Sequence, residues 1–271
     1  MRKTALTAKS IISINFLSVL LIGPLFALAV LIALPVKADN EKNANGQWKQ
    51  YKNEDGIMGF ERDVKRSKYI ETRAETVIDA PIEVLLEVLK DINSYPQWMY
   101  DCKDAILLKQ KGELKRVLYF AQGVPFGSPD RDSVIEAVTA EDFDKGVFVT
   151  NLRNIDHHPY QQIINEHGKK RRRMIEFSGK WDLQMIDRNR TKVSNTIYTN
   201  PGGFAPAFIV NRVTRKVGFR SLKSLISKAK EQKYIDAAEK GRTKMKIDTA
   251  IKKGRLVFAV SSKKVGVHSP Q

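Results

Sequence analysis

Cysteine is almost absent from this sequence, because Cys102 is the only one among 271 residues. No disulfide can therefore form within the chain, and its stability must come from packing even in an oxidising compartment. Histidine is also scarce. The four histidines show neither the i, i+4 spacing of a helical metal site nor a neighbouring set of ligands; they are His157, His158, His167 and His268. The sequence thus predicts no metal site.

The common catalytic motifs are missing as well. There is no G-x-S-x-G elbow, no phosphate-binding glycine loop and no H-E-x-x-H pair, and no histidine lies close to Cys102 in the sequence. These absences remove the most frequent enzyme classes without excluding an enzyme of another kind. We therefore expect a protein without catalytic residues and without a cofactor.

Acidic residues are absent from the first 38 positions, which hold four basic residues and a long apolar run. The run from Ile11 to Leu34 would reach about 36 Å as a helix, enough to cross a hydrocarbon layer about 30 Å thick. Small residues, Val36 and Ala38, precede Asp39 at the positions that a signal peptidase reads. Residues 1–38 are therefore interpreted as a cleaved signal peptide or, because the run exceeds a usual signal core, as an uncleaved membrane anchor.

Both interpretations put the rest of the chain on the same side of the membrane. Positive charges precede the apolar run, so the N-terminus stays in the cytoplasm and the remainder is exported. We expect a periplasmic protein, or one anchored to the inner membrane with its domain on the outer side.

Negative charge is in short supply along the whole chain, whose formal net charge is +17. Four of the 47 basic residues and none of the 30 acidic residues precede Asp39, so an excess of 13 positive charges remains after it. Such an excess favours nucleic acid or an anionic surface as a partner. Because export makes nucleic acid a poor partner, we expect an anionic membrane surface and no nucleic acid.

The pattern after the polar linker, residues 39–47, predicts an α+β fold. Asp55-Gly56 predicts a hairpin turn after Trp48, and a third strand runs from Tyr69 to Ile78. Asp79-Ala80-Pro81 then begins a helix. After Trp98 seven further strands are predicted: Ala105 to Lys109, Lys115 to Ala121, Asp132 to Thr139, Val147 to Arg153, Arg172 to Ser178, Trp181 to Ile186 and Thr191 to Thr199.

A long helix is predicted from Ala205 to Gln232, with one apolar side and one basic side. The basic side comprises Arg212, Arg215, Lys216, Arg220, Lys223, Lys228 and Lys230. It fits a solvated surface helix or a helix that meets anionic headgroups. Residues 233–271 are interpreted as a basic C-terminal appendage. Within them, Leu256 to Val260 either docks on the domain or belongs to a disordered tail.

The order of several segments resembles the START (StAR-related lipid transfer) domain family. The segments are Trp48, the Gly56-Ile57 turn, residues 91–98 (DINSYPQW), residues 128–132 (SPDRD), Trp181 and residues 198–206 (YTNPGGFAP). The resemblance covers residues 48–232. It implies the helix-grip fold, in which a curved antiparallel sheet wraps around a long C-terminal helix. It also implies one sterol, phospholipid or other apolar ligand in an internal tunnel, with that helix as a lid.

The resemblance also implies candidate ligand-binding residues. Arg131 matches an arginine on a central strand, where it either contacts a ligand or forms a structural salt bridge with Asp130 or Asp132. Phe204, Phe208 and Asn211 match the start of the lid helix, where the two phenylalanines would form an apolar gate. The remaining candidates are Asp132, Tyr119, Trp181 and Tyr198.

Three functions remain open at this point. The first is binding of a lipid, or its binding and transfer, in the cell envelope. The second is a helix-grip enzyme of the cyclase or hydrolase type, since a fold alone does not fix function. The third is a membrane-tethered adaptor with a filled core. A cavity that side chains leave unfilled favours the first.

Overall fold

The computed structural model describes residues 46–125 and 127–258. The predicted signal peptide or anchor, residues 1–38, lies outside these ranges, as does most of the predicted linker. In the described part of the chain, no helix combines the length and the apolar character needed to cross a membrane.

Ten strands form one sheet: β1 (Lys49–Glu54), β2 (Ile57–Asp63), β3 (Ile70–Ile78), β4 (Cys102–Lys111), β5 (Lys115–Gln122), β6 (Arg131–Asp142), β7 (Val147–Asn154), β8 (Arg172–Arg173), β9 (Glu176–Met185) and β10 (Thr191–Asn200). Their order across the sheet is β1-β2-β3-β10-β9-β7-β6-β5-β4, with β8 parallel to β6 and all other pairs antiparallel. The predicted hairpin and the large antiparallel sheet are confirmed.

Six helices accompany the sheet in the described residues: α1 (Ile82–Lys90), α2 (Tyr95–Trp98), α3 (Gln161–His167), α4 (Ala207–Lys228), α5 (Gln232–Lys240) and α6 (Arg242–Lys252). The longest, α4, packs against β2, β3 and β10. Its side chains Phe219, Leu222 and Leu225 enter the core together with Leu85 and Val88 of α1. An antiparallel sheet packed around a long C-terminal helix is the predicted helix-grip arrangement.

The sequence wrongly divides the strands before β10. Two strands were predicted, Arg172 to Ser178 and Trp181 to Ile186, with a gap at Gly179 and Lys180. In the structure β9 continues through Gly179, because that glycine lies close to β7: an added Cβ would be 3.3 Å from the Leu152 side chain. Gly179 thus allows close packing within a strand and does not mark a turn.

The C-terminal segment is more structured than the predicted appendage. Helix α5 packs on α1, and Tyr234, Ala238, Ile247 and Ala250 are buried members of the hydrophobic core. Leu256 is buried there too, in agreement with docking of that segment. The packed domain therefore extends beyond Gln232, to at least Leu256.

Candidate functional site

A cavity of about 280 Å³ lies between the inner face of the sheet and α4. Most of its lining is apolar and includes Leu118, Phe120, Ile135, Leu152, Phe177, Trp181, Ile197, Ile209, Val210, Val213 and Val217. The cavity has room for roughly nine water molecules at about 30 Å³ each. Water finds few hydrogen-bond partners on such walls, whereas an apolar guest removes its own surface from water.

Strand alternation determines which side chains reach this cavity. Successive residues of a strand point to opposite faces, and residues paired across an antiparallel ladder share a face. Leu118 and its partner Ile135 both line the cavity, as do Gln122 and its partner Arg131. Residues at odd positions of β10, from Val193 to Thr199, point inward on the same principle.

Arg131 lines the cavity and is 3% exposed. Its Nε donates to the carbonyl of Pro201 at 2.9 Å, and its guanidinium also donates to the carbonyl of Pro129. Among the described residues no carboxylate lies within ion-pair distance of it, so neither Asp130 nor Asp132 forms the salt bridge considered above. Burial and the neighbouring Arg172 lower the pKa of Arg131. The side chain therefore ties the loop before α4 to the sheet and keeps a cation at the cavity wall.

Tyr119 and Asp132 lie on the opposite face of the sheet and do not line the cavity, which contradicts their predicted ligand contact. Tyr119 donates to Asp132 Oδ2 at 2.8 Å, and Arg171 donates to the Tyr119 hydroxyl at 3.0 Å. Arg173 lies 3.4 Å from the same carboxylate oxygen. The physical reason is alternation: Arg131 points inward, so Asp132 must point outward.

Tyr198 and Asn211 also take structural positions away from the cavity. Tyr198 is the outward neighbour of Ile197 and donates to Ser67 Oγ at 3.0 Å. The Oδ1 of Asn211 accepts from the backbone N–H of Ile70 at 3.2 Å. Both were predicted ligand contacts. Their hydrogen bonds stabilise the fold instead, since Asn211 attaches the start of α4 to β3.

Trp181 lines the cavity, and it also forms part of an internal wall. A second, smaller cavity of about 30 Å³ lies beyond this wall. Four residues border both spaces: Tyr95, Leu118, Leu152 and Trp181. The wall sets the inner end of the larger cavity.

The two predicted gate residues differ in position. Phe204 borders the cavity and is 94% exposed, whereas Phe208 is 73% exposed and does not border it. Ile175 is a third exposed apolar side chain, and an added Cβ on Gly202 would lie 3.1 Å from it. These three side chains and the loop at residues 200–206 form what we call the apolar rim. The rim faces solvent and does not close the cavity.

Sequence reasoning missed the polar residues of the lining other than Arg131, among them Asn195, Thr214 and Ser221. Asn195 alternates with Val193 and Ile197 on β10, so the pattern already placed it on the apolar, inward side. Thr214 and Ser221 lie two turns apart on α4, on the side that carries Val217. The signal available in the sequence was a polar residue among the apolar residues that share one face of a strand or helix.

One cluster resembles a metal site on distance alone. Ligand atoms of Asp156, His157 and His158 lie within 4.8 Å of one another. Asp156 already accepts from the backbone N–H of His158 at 3.1 Å, and its Oδ1 lies 2.6 Å from the His158 ring. The contacts are those of a local turn between consecutive residues, away from the cavity.

Comparison with known proteins gives the family. Residues 78–226 match the family model described as "Polyketide cyclase / dehydrase and lipid transport". A Pseudomonas aeruginosa protein described as uncharacterized is 29% identical over 185 residues, covering 68% of this chain and 88% of that protein.

Solved structures agree on the fold. A STAR-related lipid transfer protein fragment from Xanthomonas axonopodis has a TM-score of 0.60 at 25% identity, covering 68% of this chain and 99% of that one. Human StAR-related lipid transfer protein 5 has a TM-score of 0.59 at 13% identity, covering 68% and 86%. The chain belongs to the polyketide cyclase / dehydrase and lipid transport family, and its domain has the START-type helix-grip fold suited to hydrophobic ligands.

Proposed function

We propose that this protein binds one lipid molecule in the cavity under α4 and transfers it between membranes of the cell envelope. The observation that carries the proposal is the cavity itself, about 280 Å³ of space with mainly apolar walls inside a packed domain. Ligand sites commonly measure about 300 to 1,000 Å³. A volume just below this range favours a lipid with one chain or a compact ring system over a two-chain phospholipid.

Exchange of the lipid takes place at the apolar rim. Exposed Phe204, Phe208 and Ile175 offer a surface that leaves water on contact with a bilayer. Arg172 and Arg212 are exposed nearby, without ion pairs in the described part of the chain, and complement anionic headgroups. Arg172 is adjacent to the rim because its Nη1 would be 3.0 Å from a Cβ on Gly203.

The basic side of α4 contributes less to this contact than its charge suggests. Arg215 pairs with Glu61, Lys223 with Asp55 at 2.5 Å, and Lys228 with Glu231 at 2.7 Å. The first two pairs attach the helix to the hairpin of β1 and β2, and the third lies at the C-terminal end of the helix. Three of the seven basic side chains are thus engaged in ion pairs, which reduces the attraction of this side to an anionic bilayer.

Location in the envelope rests on the sequence of residues 1–38. Their basic start, apolar run and small residues before Asp39 support export to the periplasm, or anchoring to the inner membrane.

The composition of the lining supports binding without chemistry. Among the described lining residues there is no Asp, Glu, His, Cys or Lys side chain, so an acid–base pair for a cyclase or hydrolase has no candidate there. Cys102 is a poor nucleophile because burial raises the pKa of its thiol to about 12. The enzyme alternative predicts turnover of an apolar substrate, which the binding proposal does not.

A cavity-filling substitution tests the proposal. Val213→Trp places a large side chain in the lining, and Ser227→Trp places the same side chain on the exposed surface of α4 as a matched control. We expect Val213→Trp to reduce binding of a fluorescent fatty-acid ester at least tenfold, with Ser227→Trp equal to wild type. Equal binding by all three proteins would place the ligand elsewhere and overturn the proposal.

A further inference from the structure

One polar side chain inside the cavity has no partner of its own. Asn195 is 3% exposed and lines the cavity, and its Oδ1 makes no hydrogen bond with any described residue. It lies in the middle of the sheet, opposite Trp181 of β9 and Ala74 of β3. A buried carbonyl oxygen without a donor is unfavourable and rare, so the position calls for a partner.

The neighbouring hydroxyl groups donate to backbone carbonyls and not to Asn195. Thr214 Oγ1 donates to the carbonyl of Val210 at 2.9 Å, and Thr72 Oγ1 donates to the carbonyl of Thr214 at 3.5 Å. Gly218 brings α4 close to the amide, since an added Cβ would lie 3.8 Å from Asn195 Oδ1. Asn195 itself lines the cavity, which leaves a ligand in that space as the candidate partner.

Ser221, one turn along α4 from Gly218, adds a second group. Its Oγ accepts from the backbone N–H of Tyr100 at 3.0 Å, and no described residue accepts its hydroxyl proton. The lining thus offers an acceptor on Asn195 and a donor on Ser221. Both are uncharged.

We propose that Asn195 is the hydrogen-bond partner of a neutral hydroxyl group on the buried part of the ligand. The inference rests on the proposed function and narrows its ligand to an apolar molecule that carries an uncharged hydroxyl. A hydroxyl group both donates and accepts hydrogen bonds. It can therefore pair with the side-chain amide of Asn195 whether the oxygen or the nitrogen of that amide faces the ligand. A carboxylate does not fit next to Asn195 Oδ1, because a carboxylate only accepts hydrogen bonds and would bring a buried negative charge beside another acceptor.

Matched ligand pairs test this assignment. The purified full-length protein is titrated, by displacement of anilinonaphthalene sulfonate, with octadecane against octadecanol and with methyl stearate against methyl hydroxystearates that differ in hydroxyl position. Wild type is expected to prefer at least one hydroxylated member by about tenfold, the scale of one buried hydrogen bond.

The variant Asn195→Leu removes the amide at similar volume, and Asn195→Val serves if leucine does not fold. Either variant is expected to lose the tenfold preference and to bind the plain member at least as tightly as wild type does. Thr196→Val, a polar-to-apolar change at the next, outward residue of β10, is expected to keep the preference.

The outcomes separate the two proposals. If wild type binds both members of every pair with equal affinity, as expected when a water molecule donates a hydrogen bond to Asn195, the hydroxyl assignment is overturned. Such a result leaves the proposal of lipid binding intact. A preference that survives in the Asn195 variants also overturns it. If no member of any pair displaces the probe, the proposed function itself fails.

Discussion

At the scale of single residues, we expect the inward face of the sheet to contact the ligand and the outward face to contribute to stability. The inward residues Arg131, Trp181 and Asn195 border the cavity, whereas the outward residues Tyr119 and Asp132 form a buried polar network. Adjacent positions on β6 thus have different roles. Strand alternation alone separates Arg131 from Asp132, because two successive strand residues point to opposite faces of a sheet and cannot reach one cavity.

Tyr119→Phe is expected to destabilise the protein without changing lipid affinity. The substitution removes the hydroxyl that donates to the buried Asp132 carboxylate, and a hydrogen bond to a charged group contributes about 2 kcal/mol. Urea denaturation measures the loss. Tyr160→Phe, which removes a hydroxyl without a described partner, should cost less than about 0.5 kcal/mol. A Tyr119→Phe protein of wild-type stability with weakened lipid binding would contradict this division of roles.

At the scale of secondary-structure elements, the sequence indicated the strong patterns and missed the weak ones. Helix α4 and most strands were predicted because apolar residues repeat at clear spacing. The stretch that holds α5 and α6 was interpreted as an appendage with only weak helical periodicity, because charged residues dominate it and few residues of each helix are buried: Tyr234 and Ala238 in α5, and Thr243, Ile247 and Ala250 in α6. Helix α3 has no buried residue and gave no apolar period to detect.

A partly buried hydrogen bond between α5 and the turn after α1 gives this packing a pH dependence. Tyr234 donates to Asp91 Oδ2 at 2.9 Å. Burial alone would raise the pKa of the Asp91 carboxyl, but hydrogen bonds from Tyr234 and Lys233 hold the pKa below its ordinary value. The stabilisation is therefore present above the unfolded pKa of about 3.9 and is lost as the pH falls through the lower folded value.

Tyr234→Phe is expected to lower the free energy of unfolding by about 1 kcal/mol between pH 5 and pH 8, since Asp91 is partly exposed and screened. The difference from wild type should shrink as the pH is lowered below about 4. Urea denaturation of both proteins across this range measures it. A difference that stays constant to the lowest pH, or grows there, would exclude the Asp91 hydrogen bond as its source.

The apolar rim is a second element with a testable role. Ile175→Ser combined with Phe208→Ser, at the two rim residues that do not border the cavity, is expected to slow lipid transfer between phosphatidylglycerol vesicles several-fold and to leave binding of a soluble fatty-acid ester unchanged. The reason is that both side chains are exposed and contribute little to the core. Val257→Ser, at another exposed apolar residue, is the control. Transfer at the wild-type rate by the double variant would remove the rim from the exchange mechanism.

At the scale of the whole molecule, the order of motifs predicted the helix-grip fold, and the cavity could not be read from sequence. Whether a sheet and a helix leave space between them depends on the summed volumes of side chains from distant segments, such as Gly179, Ile135 and Val217. The same holds for the wall at Trp181, to which α2, β5, β7 and β9 each contribute one residue. Local patterns fix the elements, and only their packing fixes the empty volume.

Native mass spectrometry of the protein purified without detergent from a bacterial host is the most direct test of the central claim. The account predicts a population of chains whose mass exceeds the sequence mass by that of one lipid, which organic extraction releases and Val213→Trp abolishes. Chains that carry no added mass, and that still carry none after incubation with a total lipid extract, would contradict it.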